Sequence, residues 1–323
     1  MPVLLAAAVT PPGSLSASLP SSLPDDVDGA LALAGELGRR RPDSTRDLWE
    51  ALATIAAHDL GVVRAIEPHL DAVAILAQAG HPAPEGSWGV FAAEGGDDPL
   101  VAAEASGRWS LSGTKPWCSL ADRLDAALVT ADGGLFAVDL RQPGVEVRSG
   151  TWVARGLAEI PSGPVHFDSV TATPVGEPGW YLSRPGFAWG GIGVAACWFG
   201  AAVAIGRTVH AAAAKPNPYL LEHLGAIDEL LQSSRRALAE AAELIDTGNP
   251  DPRLLAKRVR ATVARACEEI LARAGHALGP APLALDAAHA KRVADLQLYV
   301  RQHHAERDVA SLGESLASGD APW

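Results

Sequence analysis

The chain has little cysteine and fewer basic than acidic residues, and both shortages limit the classes of function that it can have. Cys118, Cys197 and Cys267 are widely spaced and form no Cys-x-x-Cys pair. Neither a disulfide framework nor a structural zinc site is therefore expected, and a reducing, cytoplasmic setting fits this usage. The formal charge of −12 makes nucleic acid and anionic membranes unfavourable partners.

Aromatic residues are also few, at 5% of the chain, whereas 48% of its 323 residues are hydrophobic, which is enough for a substantial core. The apolar opening segment, residues 1–10, lacks a basic start and is too short to span a bilayer. Basic residues cluster locally at Lys257, Arg258, Arg260 and Arg265 on a predicted helix. A solvated helix face is a simpler interpretation of this cluster than a phosphate site.

Composition and periodicity divide the chain into four segments. Residues 1–24 are rich in Pro, Ser, Leu and Ala and predict an irregular arm. Residues 25–85 carry apolar side chains at helical spacing and predict a short helical domain. Short alternating segments separated by Gly and Pro predict an antiparallel β-barrel or sandwich over 86–185. Long Ala-rich amphipathic segments, the last of them from Leu283 to Leu316, predict a four-helix bundle over 186–323.

The most informative segment runs from Gly107 to Ala131. Its pattern predicts a strand, a tight turn at Ser112-Gly113, and a second strand that ends at Trp117, Cys118 and Ser119. An indole followed two residues later by a hydroxyl suits a flat heteroaromatic ligand, because the ring packs on the indole while the hydroxyl hydrogen-bonds a ring nitrogen.

This segment resembles the middle domain of the acyl-CoA dehydrogenase family, in which a Gly-x-Trp/Tyr-x-Leu-x-Gly-x-Lys-x-Trp-Ile-Thr/Ser run lies beside a flavin ring. Val165-His-Phe-Asp-Ser-Val170 is similar to another element of that domain. The order of a helical domain, a β-domain and a four-helix bundle is also that of the family, and the likeness extends over about 45–310. It implies an α+β, mainly α fold, and FAD as the cofactor, with FMN as the alternative.

A second stretch, Val90 to Pro99, resembles the family's hydrophobic-x-Thr-Glu-Pro run, which frames the flavin ring. The resemblance places Phe91, Ala92, Ala93 and Glu94 at the cofactor. Ala93 stands where the family has Thr, so a side-chain hydrogen bond is missing. Backbone N–H groups from Ala92 to Gly95 remain as donors, because they do not depend on side-chain identity.

The family's diphosphate anchors are degraded in this chain. Glu222-His223 retains part of the helix signature, but Ala213, Pro216 and Asn217 stand where the family's Arg-x-x-Phe-Gly lies. The downstream run from Ala272 to Gly279 lacks the family's Gln. Lys215 or Arg273 is a candidate replacement cation. FAD is thus expected to be held more weakly, since charge-assisted contacts are the strong ones.

The resemblance also implies a position for the catalytic base. Aligning the family's Arg-Asp-Ala aspartate with Asp295 puts His303 at the base position and His304 beside it. Imidazole titrates near neutrality and serves as acid or base. The alternative is that both are ordinary polar residues on a partly exposed helix. A metal site is disfavoured, because adjacent residues on a helix point about 100° apart.

Three functions follow from the resemblance. The first is an FAD-dependent dehydrogenase that forms an α,β double bond in an acyl thioester or related small molecule, bulky or carrier-tethered. The second is a monooxygenase of the same fold that uses reduced flavin and oxygen, with a reductase or electron-transfer partner. The third is a flavin-free scaffold or partner subunit. A homodimer or homotetramer is implied in each case.

Overall fold

The computed structural model describes residues 1–5, 14–40, 42–82, 85–248 and 250–317. Part of the predicted arm, residues 6–13, lies outside these ranges. Within them the protein is mainly helical, with a sheet placed between an N-terminal and a C-terminal group of helices.

The N-terminal group consists of α1 (Val27–Gly38), α2 (Thr45–His58) and α3 (Leu60–Gln78). Each helix begins at a polar cap whose side chain accepts backbone N–H groups that would otherwise lack partners: Asp26 caps α1, Ser44 caps α2 and Asp59 caps α3. The caps fix where the helices start, and their apolar faces pack into the main core.

The sheet contains seven strands within the described residues: β1 (Trp88–Phe91), β2 (Val101–Ala105), β3 (Arg108–Lys115), β4 (Ala126–Ala131), β5 (Gly134–Asp139), β6 (Val145–Val147) and β7 (Val165–Pro174). Their order is β1-β4-β5-β7-β3-β2, with β6 also paired to β7. The pairs are antiparallel except for β1 with β4, which is parallel. The sheet is therefore mixed, whereas the sequence pattern indicated a purely antiparallel one.

The predicted turn at Ser112-Gly113 is wrong, because β3 runs through both residues. Its pairing with β7 shifts register between Leu111 and Gly113, which marks a β-bulge. Gly113 has a φ of +116° and lies so close to the backbone of Pro99 that an added Cβ would be 2.5 Å from the Pro99 carbonyl oxygen. The glycine thus serves a bulge and a close backbone approach instead of a hairpin.

The C-terminal group contains α4 (Trp180–Ser183), α5 (Pro185–Ala212), α6 (Pro218–Thr247), α7 (Pro252–Leu278), α8 (Pro280–Leu285), α9 (Ala287–Tyr299) and α10 (Glu306–Ala317). The single helix predicted over Leu283–Leu316 is broken twice. Asp286 ends α8 and caps α9 by accepting the His289 N–H. After α9 a 3₁₀ turn leads to an extended His303, and Ala305 has a φ of +44°. His303 and His304 therefore lie on a connection between helices and not within one.

Helix α5 is the centre of the bundle. By length and composition it is apolar enough to cross a membrane, but 72% of its most apolar window is buried inside the protein. It packs against α2, α6 and α7. Small residues allow this close packing, since a Cβ added at Gly200 would be 2.1 Å from the Ala53 carbonyl oxygen of α2.

Candidate active site

A cavity of about 750 Å³ opens where the three parts of the fold meet. One wall is formed by Val90 and Ala92 at the end of β1, and the facing walls come from α3, α5, α7 and the α9–α10 connection. This volume is in the range of pockets that enclose a small-molecule ligand. Small apolar residues on α5, namely Ala188, Gly191 and Val194, leave the space open.

Helix α3 lines the cavity with three charged residues on an otherwise apolar face. Arg64, Glu67 and Asp71 follow one another at i, i+3 and i+7, which places them on one side of the helix. Burial, and secondarily the neighbouring Asp71, raises the pKa of Glu67 to about 7. Burial also raises the pKa of Asp71, although Arg184, at 3.8 Å, opposes this shift. The carboxyl pair therefore holds a proton close to neutral pH.

Two arginines line the cavity from different helices, Arg260 from α7 and Arg64 from α3. The Arg260 guanidinium donates to the Gly191 carbonyl at 2.5 Å and to the Gln302 carbonyl at 3.1 Å, and it lies 4.8 Å from the centre of the Trp198 ring. Arg64 lies 5.6 Å from the ring centre of Tyr299. Arg260 thus ties the α9–α10 connection to α5 and α7.

Three residues of that connection line the cavity, Gln302, His303 and His304, and His303 is the buried one. It is buried, at 6% exposure, and its Nε2 atom has no hydrogen-bond partner among the described residues. Burial lowers its pKa more than nearby Asp308 raises it, so the imidazole is neutral at pH 7. His304, by contrast, is exposed at the cavity edge and lies 3.3 Å from Asp308 through Nδ1.

Neighbouring residues of the stretch expected beside the flavin ring point to opposite faces of the strand, because the strand is pleated. Ala92 lines the cavity together with Val90, whereas Phe91 points to the other face and lies in the core. Ala93 follows, partly buried. The Glu94 carboxylate accepts hydrogen bonds from the buried Lys115 ammonium at 2.9 Å and from the Thr130 hydroxyl at 2.6 Å. Glu94 therefore neutralises a buried lysine.

Trp117, Cys118 and Ser119 are not among the residues that line the cavity. Trp117 is 62% exposed, with its ring edge-on to Trp152. The Cys118 thiol is buried, which raises its pKa to about 12 despite the nearby Lys115, so it is no nucleophile at neutral pH.

The Ser119 hydroxyl reaches the cavity only through Arg64, which donates to it at 2.8 Å. Ser119 is also 2.7 Å from the Ser162 hydroxyl, which donates to the Ile160 carbonyl. Its own hydrogen is therefore engaged with Ser162, and the Arg64 side chain stands between Ser119 and the open space.

The positions expected to hold a cofactor diphosphate offer little free charge. Arg273 is bound by Glu222 at 3.1 Å and by Glu269 at 2.8 Å. The His223 ring lies beside His276, with 5.7 Å between ring centres. Arg273, one of the two candidate replacement cations, is therefore already neutralised by two carboxylates.

A separate group of carboxylates, Asp59, Glu159 and Asp295, has the spacing of a metal site. The Lys291 ammonium lies within 2.8 Å of an oxygen of each and neutralises them. This cluster is therefore an internal ion-pair network that joins α3, the loop before β7 and α9.

The sequence analysis missed Arg64, Glu67 and Asp71. The sequence does contain a signal for them, since three charged residues at helical spacing interrupt an apolar helix. On a buried face such charges are costly unless they serve a site. This signal is weak without the fold, because one sequence does not show which face of α3 is buried.

No protein-family model matches the chain, and neither does any curated protein sequence. Solved structures with the same architecture do match. KijD3, in complex with FMN and dTDP-3-amino-2,3,6-trideoxy-4-keto-3-methyl-D-glucose, has 20% identity and a TM-score of 0.75, covering 91% of this chain and 84% of that one. FMN-bound TdsC from Paenibacillus sp. A11-2 has 18% identity and a TM-score of 0.77, with coverage of 92% and 91%.

Butyryl-CoA dehydrogenase from Megasphaera elsdenii has 14% identity and a TM-score of 0.75, covering 93% of this chain and all of that one. The predicted acyl-CoA dehydrogenase-like fold is thus confirmed. At these identities the match establishes the architecture, and the chemistry has to be argued from the cavity itself.

Proposed function

We propose that this chain is a flavin-dependent oxidoreductase that transforms a small molecule in the 750 Å³ cavity. The observation that carries the proposal is His303, a buried residue that lines the cavity and whose Nε2 atom has no hydrogen-bond partner among the described residues. A buried polar atom without a partner is costly, so it indicates that a bound molecule completes the site.

The cavity suits the ring system of a flavin. The rest of the chain is less suited to holding FAD permanently. Val90 and Ala92 would form the wall against the ring, and Ala188 and Gly191 leave room opposite. When bound, a flavin supplies two-electron redox chemistry, which these side chains lack. Because Arg273 is already paired with two glutamates, we infer an exchangeable flavin, either FMN or FAD.

The chain's own residues supply proton handling and positioning. The neutral His303 imidazole donates or accepts a proton at Nε2, and the Glu67 carboxyl, with its pKa raised by burial to about 7, gains or releases one near physiological pH. Arg260 holds the connection that carries His303 in place. These are the roles that a two-electron oxidation with coupled proton transfer requires.

Among such oxidations, monooxygenation is the favoured reaction class. It places one oxygen atom of O₂ in the substrate and the other in water, with two electrons from reduced flavin supplied by a separate reductase. An exchangeable flavin and a neutral imidazole in the cavity support this proposal. The same architecture occurs in TdsC, a dibenzothiophene monooxygenase.

Dehydrogenation of an acyl thioester is the second candidate, and Glu67 is the observation that favours it. A carboxylate whose pKa is about 7 is well matched to removing a proton next to a thioester carbonyl at neutral pH. The substrate, a homodimer or homotetramer, a reductase partner and a cytoplasmic location remain predictions.

Flavin titrations of the purified protein test the proposal. We expect oxidised FMN or FAD to bind weakly and reversibly, and anaerobically reduced flavin to bind more tightly and to be reoxidised on admission of oxygen. His303→Gln should change the reoxidation rate about tenfold or more, whereas His304→Gln at the exposed cavity edge should change it less than twofold.

The outcomes separate the reaction classes. Bleaching of bound oxidised flavin by an acyl-CoA without oxygen would assign the dehydrogenase reaction. A protein that binds neither oxidised nor reduced flavin, in the presence of up to millimolar cofactor, would refute both redox functions and leave the flavin-free scaffold.

A further inference from the structure

A second cavity, of about 160 Å³, is lined by residues of α2, α3 and α5, and the 750 Å³ cavity described above is called the first. Among the described residues, Glu67 and Asp71 are the two that line both cavities. His303 lines the first cavity and not the second, whereas Arg184 lines the second and not the first. The carboxyl pair therefore borders both the proposed reaction site and a cavity that contains a cation.

Arg184 is a buried residue, at 7% exposure, directly before α5. Its Nη1 atom donates to the Gln78 side-chain oxygen at 2.7 Å, and its Nε atom has no partner among the described residues. Its Nη2 atom lies 3.8 Å from Asp71 Oδ1, which makes Asp71 its counter-charge. Because a buried charge is costly without a counter-charge, this contact favours the ionised form of Asp71.

The Glu67 carboxyl, unlike that of Asp71, forms no ion pair with a cation in the ranges that the structure describes. Arg64 and Arg260 interact with it electrostatically. Their guanidinium groups, however, donate elsewhere, Arg64 to the Ser119 hydroxyl and Arg260 to two backbone carbonyls. The two carboxyl groups of the pair are therefore unequal, because a cation pairs with Asp71 and none pairs with Glu67.

Other ionisable groups around the pair do not remove this inequality. The described groups that interact electrostatically with Glu67 are Arg64, Asp71, Tyr181, Cys197, Arg260 and Tyr299. Burial raises the pKa of both tyrosines and of the thiol, so these three groups are uncharged at neutral pH. Burial is also the main cause of the raised pKa of Glu67, and Asp71 adds to it while the two arginines oppose it. The charge of Asp71, which Arg184 and the neutral Tyr181 adjoin, is the part of this balance that Arg184 controls.

We propose that Arg184 is a positioning residue, which holds Asp71 ionised and thereby keeps the proton of the carboxyl pair on Glu67. Two adjacent carboxyl groups do not readily ionise together, so the one with a counter-charge releases its proton and the other retains it. From the second cavity, Arg184 thus sets the protonation of a group that also lines the first. This inference deepens the proposed function, and it rests on that function for the use of the proton in a reaction.

Infrared titration of the purified protein without flavin tests the proposal. Isotope labelling of the glutamate carboxyl groups separates the carboxylic-acid signals of glutamate from those of aspartate, and the signal that Glu67→Gln removes belongs to Glu67. In the wild type we expect such a glutamate signal with a midpoint at about pH 7. Arg184→Gln should lower the proton affinity of Glu67 about tenfold or more, and the aspartate signal should gain what the glutamate signal loses.

Three further variants separate the charge of Arg184 from its packing. Arg184→Lys retains the charge and should keep the proton affinity of Glu67 within about threefold of the wild type. Asp71→Asn removes the carboxylate that disfavours ionisation of Glu67, so it should lower this affinity about tenfold or more, and it keeps the test decisive if Arg184→Gln does not fold. The control is Arg253→Gln, an exposed cation that lines the first cavity and pairs with neither carboxyl, which should change the affinity less than about twofold.

The outcomes distinguish this inference from the proposed function. A wild-type acid signal near neutral pH that belongs to aspartate, a Glu67 midpoint that Asp71→Asn leaves unchanged, or equal shifts in Arg184→Gln and Arg184→Lys would each overturn the inference. Because the titration uses no flavin, a protein that binds no flavin but shows the expected shifts keeps the protonation order and loses the redox function. A protein that binds and reoxidises reduced flavin without these shifts keeps the redox function and loses the role of Arg184.

Discussion

Glu67 is the residue whose ionisation most strongly connects the cavity to the stability of the fold. Its carboxyl has a pKa of about 7 because burial and the neighbouring Asp71 disfavour its charged form, whereas its ordinary pKa is 4.5. Arg64 and Arg260 favour the charged form but do not compensate. The native protein thus retains a proton that the unfolded chain has already released between pH 4.5 and 7.

This difference predicts the effect of Glu67→Gln on stability. Because the native state binds more protons than the unfolded state over this range, wild-type stability falls as pH rises from about 5 to 8, and the variant lacks this slope. We expect the difference in free energy of unfolding, variant minus wild type, to be roughly 2 kcal/mol more positive at pH 8 than at pH 5.

Urea unfolding at the two pH values measures the difference. Glu104→Gln, exposed on β2, is the control and should keep the wild-type slope. A Glu67→Gln variant that follows the wild-type pH dependence would show that Glu67 is ionised in the native protein throughout, and it would remove this carboxyl as a neutral-pH proton carrier.

At the residue scale the sequence analysis named His303, His304 and Ala92, which line the cavity, but not the charged residues of α3 that line it too. His303 was found through a resemblance in the last helices, and the structure places it buried beside an open cavity. Trp117 and Ser119 were found by the same resemblance, yet Arg64 separates Ser119 from the cavity. The motif could not predict this contact between Arg64 and Ser119, because Arg64 belongs to a helix far from the motif in the sequence.

At the element scale, periodicity identified the helices and most strands, because apolar spacing reflects one buried face. What it missed depends on individual backbone groups. The break after α9 rests on a left-handed Ala305 and on the Asp308 carboxylate, which accepts the His304 N–H at 3.1 Å. An alanine and an aspartate in an Ala-rich run give no warning of such a stop, since both also occur within helices.

The packing of α5 against α2 gives a prediction at the scale of these elements. A Cβ at Gly200 would lie 2.1 Å from the Ala53 carbonyl oxygen, so Gly200→Ala must push the two helices apart. We expect a loss of about 2 to 3 kcal/mol or more in the free energy of unfolding, as for overpacked cores.

The matched control lies on α6. Gly225 is also inside a helix, but nothing lies within 4 Å of a Cβ added there. Gly225→Ala should therefore stabilise the protein by about 0.5 to 1 kcal/mol through helix propensity. Both values follow from chemical denaturation, and equal effects of the two substitutions would contradict the close contact between α2 and α5.

At the scale of the whole molecule, the cavity exists because three parts of the fold are held in register. Lys291 on α9 contacts Asp59 at the start of α3, Glu159 in the loop before β7, and Asp295 on its own helix. Asp295 is buried and also accepts the Leu157 N–H at 2.6 Å. One ammonium therefore joins the N-terminal helices, the β-domain and the bundle.

Removing that ammonium should separate the three parts in a pH-dependent way. In Lys291→Met, three carboxylates face one another without a cation, and burial already raises the pKa of Asp295. Loss of one partner of a buried pair costs about 3 to 5 kcal/mol, and we expect roughly 2 kcal/mol at pH 7.5, because the Lys291 side chain is 37% exposed and partly screened.

The sign of the pH dependence distinguishes this charge effect from simple loss of packing. In the variant Asp295 loses the ammonium that lowers its pKa, so its folded pKa lies further above that of the unfolded chain; it takes up a proton on folding, and the variant regains stability as pH falls toward 4.5. Lys215→Met, on the connection between α5 and α6, is the control and should cost little at either pH. If Lys291→Met loses as much stability at pH 4.5 as at pH 7.5, the lysine acts by filling space, and the junction of the three parts does not depend on its charge.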